Sequence, residues 1–349
     1  LDFVRFLAFF VVFLFHLDDK RYAYGILGVP LFFVISGFLI TRLLLIHETG
    51  QLGQDLRIFY ARRTLRIFPL YYATLLVLLA LGELPRPWWY FAYLKNVDFF
   101  LTNEWSRRAH LWSLCVEEQF YLLFPLVLWL WPQTRRLTLL VLLLLGTWIF
   151  RAGMDLWAAA HPQQEWRSFL LLPYSGEYLV WGCLAGWYDV QRRTEAAPVP
   201  AAFLIALGAS LHGLMAYDQF GPGGFSHLGL AGLYQTVHGI SFALIVFGVW
   251  HLPEGILKRL FLFPPFVYLG KISYGLYVFH NFLYGAKPWL MEYLPLMRYV
   301  PGAFVSLTAT IGLAMVSWHL MEQPLLRLKR YFPYPRDTKP GEAPQTRKE

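Results

Sequence analysis

Arg5 and His16 stand inside the apolar run from Phe3 to Leu17, which carries almost no other polar side chain. An ionisable group in hydrocarbon costs roughly 2.5–3.5 kcal/mol by insertion scales, so it is kept for function or tolerated near an interface. A separation of eleven residues is close to three helical turns. Both side chains therefore share one face, about 16 Å apart along the axis. A neutral imidazole near pH 7 accepts a hydroxyl proton and later returns it. The competing reading is a packing histidine with a snorkelling arginine.

A second constellation runs from His110 to Tyr121. Ser113, Glu117 and Tyr121 recur at every fourth residue and line one helical face. Glu118 is rotated by about 100° and is expected to point elsewhere. Glu117 falls at a depth similar to His16. A carboxylate beside an imidazole fixes its tautomer and stabilises the imidazolium, so Glu117 is expected to orient and charge His16. Tyr121 or Ser113 supplies a donor to a developing oxyanion. A polar helix start with water access is the competing reading.

A third cluster, Arg62, Arg63 and Arg66, lies before an apolar segment at the opposite depth. Guanidinium groups bind phosphate in bidentate geometry. Orientation of the chain in the membrane, or contact with anionic headgroups, explains the same residues. A molecule with a phosphorylated head and a long thin arm would join the arginines to the histidine. Coenzyme A has that shape, with an acyl thioester at the tip of its arm. No His-Glu-x-x-His occurs, and His16, His110 and His280 lack ligand-like spacing, so no metal is expected.

The elements that hold these groups are membrane helices. The chain of 349 residues is 57% hydrophobic and 15% charged, against about 45–50% and 25% for a soluble domain. That excludes a soluble fold. The reading is an all-α, polytopic helical bundle of about ten spans. They are approximately 3–17, 28–46, 67–82, 111–131, 137–154, 170–188, 199–216, 232–251, 266–286 and 301–321. With both termini in the cytoplasm, about twenty of the 30 Lys+Arg fall on the inner side. This asymmetry accounts for the net charge of +8 without nucleic acid. Residues 1–325 form the membrane domain, and 326–349 a basic tail expected to be disordered. The start at Leu1 without Met indicates missing native residues, and no cleavable signal peptide is expected. The longest outer loop, about 83–110, is aromatic and polar; it is read as an acceptor-binding loop or as a re-entrant segment at the interface. Cys115 and Cys183 are expected to be core residues without a disulfide.

Several stretches, in order, resemble membrane-bound acyltransferase family 3. They are Leu1 to Ala8 with His16, Gly28 to Thr41, Phe59 to Pro69, His110 to Tyr121, Leu269 to His280, and Met321 to Pro324. The resemblance covers about 2–325. It implies acyl-CoA-dependent (most simply acetyl-CoA-dependent) O-acylation of sugars, lipids or other hydroxylated acceptors, usually at a bacterial envelope. It marks Arg5 and His16 as a pair, with His16 essential. It also marks Arg63 and Arg66 as an Arg-x-x-Arg pair, and Ser113, Glu117 and Tyr121 as a functional face. Family members often carry Gly at the Phe3 position, Asp at Pro30 and Ser at Cys115; these departures touch packing. An esterase-like domain follows in many members, and none is read here.

The leading expectation is an O-acyltransferase of the bacterial inner membrane with His16 as general base. An acyl-His16 intermediate is a variant. Weaker candidates for the acceptor side are His280, Asn281 and Trp112, and Glu177, Tyr274 and Tyr277 are weaker pocket candidates. Membrane lipid is an expected partner, and oligomeric assembly is left open. The alternative is a proton-coupled transporter, since buried Arg, His and Glu also serve a proton relay; the internal repeats common in transporters are not found.

Overall fold

The protein is described from a computed structural model covering residues 1–104, 108–161, 167–192, 199–221, 233–283 and 301–334. Long apolar runs of Leu, Val, Ile and Phe satisfy their backbone polar groups internally when helical, which is what a bilayer demands. The described residues accordingly form helices and no strands. The main elements are α1 (Asp2–Leu17), α2 (Gly28–His47), α3 (Leu52–Ala80), α4 (Pro87–Phe91), α5 (Lys95–Thr102), α6 (Trp112–Leu130) and α7 (Arg136–Ala160). They continue with α8 (Leu172–Gln191), α9 (Ala201–Phe220), α10 (Tyr234–Trp250), α11 (Ile256–Phe261), α12 (Pro264–Lys271), α13 (Ser273–Phe279), α14 (Gly302–Ser317) and α15 (Gln323–Leu326).

Six helical stretches are long and apolar enough to cross a membrane, and the protein is an integral membrane protein. The expected ten segments are all helical where described, but four fall short of that standard for local reasons. The first, α1, is only 16 residues long, and α10 only 17. Glu177 and Asp189 lower the hydropathy of α8. The ninth segment is broken into α12 and α13 at Ile272.

Backbone-to-backbone packing holds the bundle together. Gly182 and Gly186 on α8 form a Gly-x-x-x-Gly face against α2. A Cβ on Gly37 would lie 2.0 Å from the Leu179 carbonyl oxygen, and one on Gly182 would lie 2.1 Å from that of Val34. Only glycine permits this approach. The close α2–α8 contact fixes α2, whose other face carries Ser36 toward α6.

The tail differs from the expectation. Arg327–Tyr331 is a 3₁₀ turn. Arg62 Nη1 donates to the Phe332 carbonyl at 3.0 Å, and Tyr334 is buried, stacked on His47 at 4.1 Å between centroids. The segment through Tyr334 is thus docked on α2 and α3 by an arginine and two aromatic contacts. Residues 335–349 of the expected disordered tail lie outside the described residues. The loop at 83–110 carries α4 and α5, which pack on α3 and α6 respectively. Lys95 and Asp98 pair there in full burial, and Arg86 reaches Asp98 at 2.7 Å. Trp105 to Arg107 of that loop lie outside the described residues. Cys115 and Cys183 are buried and free, as expected.

Candidate active site

One cavity of about 90 Å³ is lined from α1, α2, α3, α6 and α13. Arg5, Arg63 and Arg66 contribute positive charge, and Glu117 and Glu118 negative charge. Ser36, Ser113, Tyr121, Tyr274 and Tyr277 complete its polar wall. The three arginines expected to bracket the donor's phosphates do not all meet here. Arg63 and Arg66, three residues apart, share a face. Arg62 is turned about 100° from Arg63. It is committed to the Lys329 and Phe332 carbonyls and to the Tyr334 ring at 4.5 Å. Arg62 thus holds the C-terminal segment and, unlike Arg63 and Arg66, does not line the cavity.

Arg63 lies 3.9 Å over the ring of Tyr121, and its charge is balanced by both Glu117 and Glu118. Arg66 donates to the Lys271 carbonyl at 2.9 Å, stands 3.9 Å from Glu322 and lies 5.3 Å over Trp318. Trp318–Glu322 is a π-helical turn. The break at Ile272 is what brings the Lys271 carbonyl to Arg66.

Glu117 is placed differently from its expected role. Ser36 Oγ donates to Glu117 Oε1 at 2.8 Å, and Tyr121 Oη donates to Ser36 Oγ at 2.9 Å. Glu117 therefore closes a Tyr121–Ser36–Glu117 chain beside Arg63. It makes no hydrogen bond to His16. Spacing places Glu117 on a face but does not say which neighbour that face meets. Glu118 also differs: its carboxylate lines the same cavity, and its Oε1 is buried without a hydrogen-bond partner. A cavity wall that spans 100° of a helix takes both carboxylates.

His16 meets another histidine. Its Nδ1 lies 3.0 Å from the Val12 carbonyl and 3.4 Å from His280 Nε2. Carbonyls only accept, so His16 Nδ1 carries the proton. His280 Nδ1 donates to the Tyr277 carbonyl at 2.6 Å, which leaves the lone pair of His280 on Nε2, facing His16. His16 then carries its own lone pair on Nε2. His280 is fully buried and packs 5.0 Å from His110. His110 Nε2 donates to the Val278 carbonyl at 3.1 Å, and Asn281 Nδ2 donates to His110 Nδ1 at 3.3 Å.

His16 does not itself line the cavity; Tyr277 stands between them. The hydroxyls of Tyr277 and Ser113 lie 2.6 Å apart. The Tyr277 ring packs 5.4 Å from His280 and edge-on to Phe32 at 5.8 Å. Tyr277 is thus the shared wall of an arginine–carboxylate cavity and a histidine cluster. Trp112, a weaker candidate, is half-buried and packs edge-on to Phe33 and Phe169; it does not itself line the cavity. Among the described residues no group of His, Cys, Asp or Glu is arranged to hold a metal ion. Tyr274 and Tyr277, weaker pocket candidates from sequence, line the cavity, as do Ser36 and Glu118, which were not singled out from sequence as site residues. For Tyr277 the signal was its place in the Leu269 to His280 stretch.

The sequence profile of the family described as an acyltransferase domain matches residues 1–316. The O-acetyltransferase OatA of Staphylococcus aureus (strain NCTC 8325 / PS 47) is 24% identical over 348 residues, covering 93% of this chain and 56% of the relative. The peptidoglycan O-acetyltransferase OatA of Listeria monocytogenes serovar 1/2a is 26% identical over 357 residues, covering 93% and 55%. The chain therefore spans about half the length of these curated relatives. No solved structure matches it.

Proposed function

The chain belongs to the acyltransferase-domain family, and from that premise we propose that it moves an acyl group, most simply acetyl, from acyl-CoA to an alcohol at the bacterial inner membrane. The observation that carries this reading is the shared wall at Tyr277, with cationic groups on one side and a base-ready histidine on the other. Arg63, Arg66 and Arg5 bind the donor's phosphates. The pantetheine arm runs past Glu117 and Tyr121. The thioester reaches His16 when Tyr277 swings from Ser113. Both termini face the cytoplasm, and ten helical segments, broken ones included, span or enter the bilayer.

His16 Nε2 takes the proton of the acceptor hydroxyl. The alcohol oxygen attacks the thioester carbonyl, and the released Ser113 or Tyr277 hydroxyl donates to the oxyanion. The carbon–sulfur bond breaks, and the proton on His16 passes to the CoA thiolate. His280 Nε2 and the Val12 carbonyl hold His16 Nδ1–H throughout, which favours the imidazolium without a carboxylate. The acceptor class we favour is a cell-envelope glycan, in line with the name of the Listeria relative.

Purified protein with radiolabelled acetyl-CoA and a soluble glycan acceptor tests this. Label should move to the glycan with the wild type and not with a folded His16→Ala variant. Label that stays on CoA under all conditions contradicts the proposal and favours the transporter reading.

A further inference from the structure

Two polar atoms of the Arg63 cavity have no partner within the protein. Glu118 Oε1 and Arg63 Nε are both buried without a hydrogen bond among the described residues, and both residues line the cavity. One atom is an acceptor and the other a donor. Their charges act on each other, yet the two side chains form no ion pair. The Arg63 guanidinium is held instead 3.9 Å over the Tyr121 ring. Hydroxyls near Glu118 are spent elsewhere. Tyr72 Oη donates to the Phe91 carbonyl at 3.1 Å, and Tyr274 Oη donates to the Ile67 carbonyl at 3.0 Å. Tyr93 Oη is also buried without a partner, but Tyr93 does not line the cavity. A buried donor or acceptor left unpaired is costly, and more so on a charged group. A cavity that keeps one of each is suited to a guest that presents the complement of both.

A secondary amide presents that complement: its carbonyl accepts and its N–H donates. The arm of coenzyme A contains two such amides. One belongs to the pantoyl unit, a few bonds from the phosphates, and so falls beside the guanidinium that binds those phosphates through its Nη atoms. The apolar part of the wall, with Val29, Phe33 and Leu114, suits the two methyl groups of the same unit. We propose that Glu118 and Arg63 read the pantoyl amide of the donor, Glu118 Oε1 accepting from its N–H and Arg63 Nε donating to its carbonyl. The inference rests on the acyl-CoA reading above and deepens it, because it names the part of the donor that is recognised. It gives Glu118 a task separate from that of Glu117, whose Oε1 already accepts from Ser36.

Calorimetric titration of the detergent-solubilised protein with CoA, and with a CoA analogue whose pantoyl amide N–H is replaced by CH2, tests it. The analogue keeps the phosphates, the carbonyl and the length of the arm. Wild-type protein should bind CoA about tenfold or more tighter than the analogue, the worth of a hydrogen bond to a charged group. Glu118→Ala should erase that preference, so that both ligands bind alike. Glu118→Gln keeps an oxygen acceptor and should retain part of it, which holds the test open should the alanine variant fold poorly. The same replacement at the other amide should have an effect that Glu118→Ala leaves unchanged. Equal binding of CoA and the pantoyl analogue by the wild type overturns the proposal. An undiminished preference in folded Glu118→Ala also overturns it, as does a Glu118-dependent preference confined to the other amide. Binding of CoA without discrimination leaves the acyl-CoA reading standing, whereas no binding of CoA at all removes both.

Discussion

His280 Nε2 lies 3.4 Å from His16 Nδ1, and the proton between them belongs to His16. In the proposed mechanism the role foreseen for a carboxylate falls to a second imidazole and a backbone carbonyl. In a membrane interior this arrangement avoids placing another charge beside the base. Replacing His280 by Phe removes the acceptor, frees the tautomer of His16 and should cut kcat by roughly a hundredfold to a thousandfold, within the range of general-base effects. Donor KM should hardly move. His280→Gln, which restores an acceptor, should recover part of the loss. Equal kcat in all three proteins would remove His280 from the account.

Glu117 accepts from Ser36 and lines the cavity with Arg63, and the proposal gives it a part in donor binding. Glu117→Gln should act on donor KM and thermal stability more than on kcat, because Ser36 and Arg63 lose a charged partner while His16 keeps its own. Ser36→Ala leaves Glu117 and Tyr121 without their link and should cost about 1–3 kcal/mol of stability, the penalty for unsatisfied buried groups. A kcat collapse in Glu117→Gln with unchanged KM would return Glu117 to the base.

Arg63→Ala should raise donor KM about tenfold to a hundredfold, the worth of a charge-assisted contact. Arg63→Lys should rescue little, because the planar group stacked 3.9 Å over Tyr121 is lost. Arg62→Ala should leave donor KM alone and instead loosen the Phe332–Tyr334 segment, read as faster proteolysis of the C-terminal end. Matching donor KM effects for Arg62 and Arg63 would contradict the division between them.

Gly37→Ala forces a Cβ to 2.0 Å from the Leu179 carbonyl. It should destabilise the protein by about 1–3 kcal/mol or more through overpacking of α2 on α8. Gly312→Ala, with open space around its Cβ position, should be neutral or stabilising by about 0.5–1 kcal/mol. Thermal unfolding of the two variants side by side reads the difference.

Much of this was legible in the sequence, and the limits have physical causes. Eleven-residue spacing put Arg5 and His16 on one face, and four-residue spacing did the same for Ser113, Glu117 and Tyr121. Periodicity reports a face, however, and not what packs against it. Ser36 and Tyr277 reach the site through contacts 81 and 164 residues away in sequence, beyond any local pattern. Glu118 was set aside by its 100° rotation because the width of the cavity is not written in α6. The tail read as disordered from its composition, yet Arg62 and His47 supply docking partners 270 or more residues upstream of Phe332 and Tyr334. The segment at 170–188 was read as a span although it carries Glu177, and that buried carboxylate finds several donors inside the bundle.

The most direct test of the central claim is an electron cryo-microscopy structure with a non-hydrolysable acyl-CoA analogue. The account predicts phosphates at Arg63 and Arg66, Tyr277 rotated away from Ser113, and the acyl carbon beside His16 Nε2. Phosphates bound at the His110 end, or an acyl group that stops on the arginine side of an unmoved Tyr277, would contradict it.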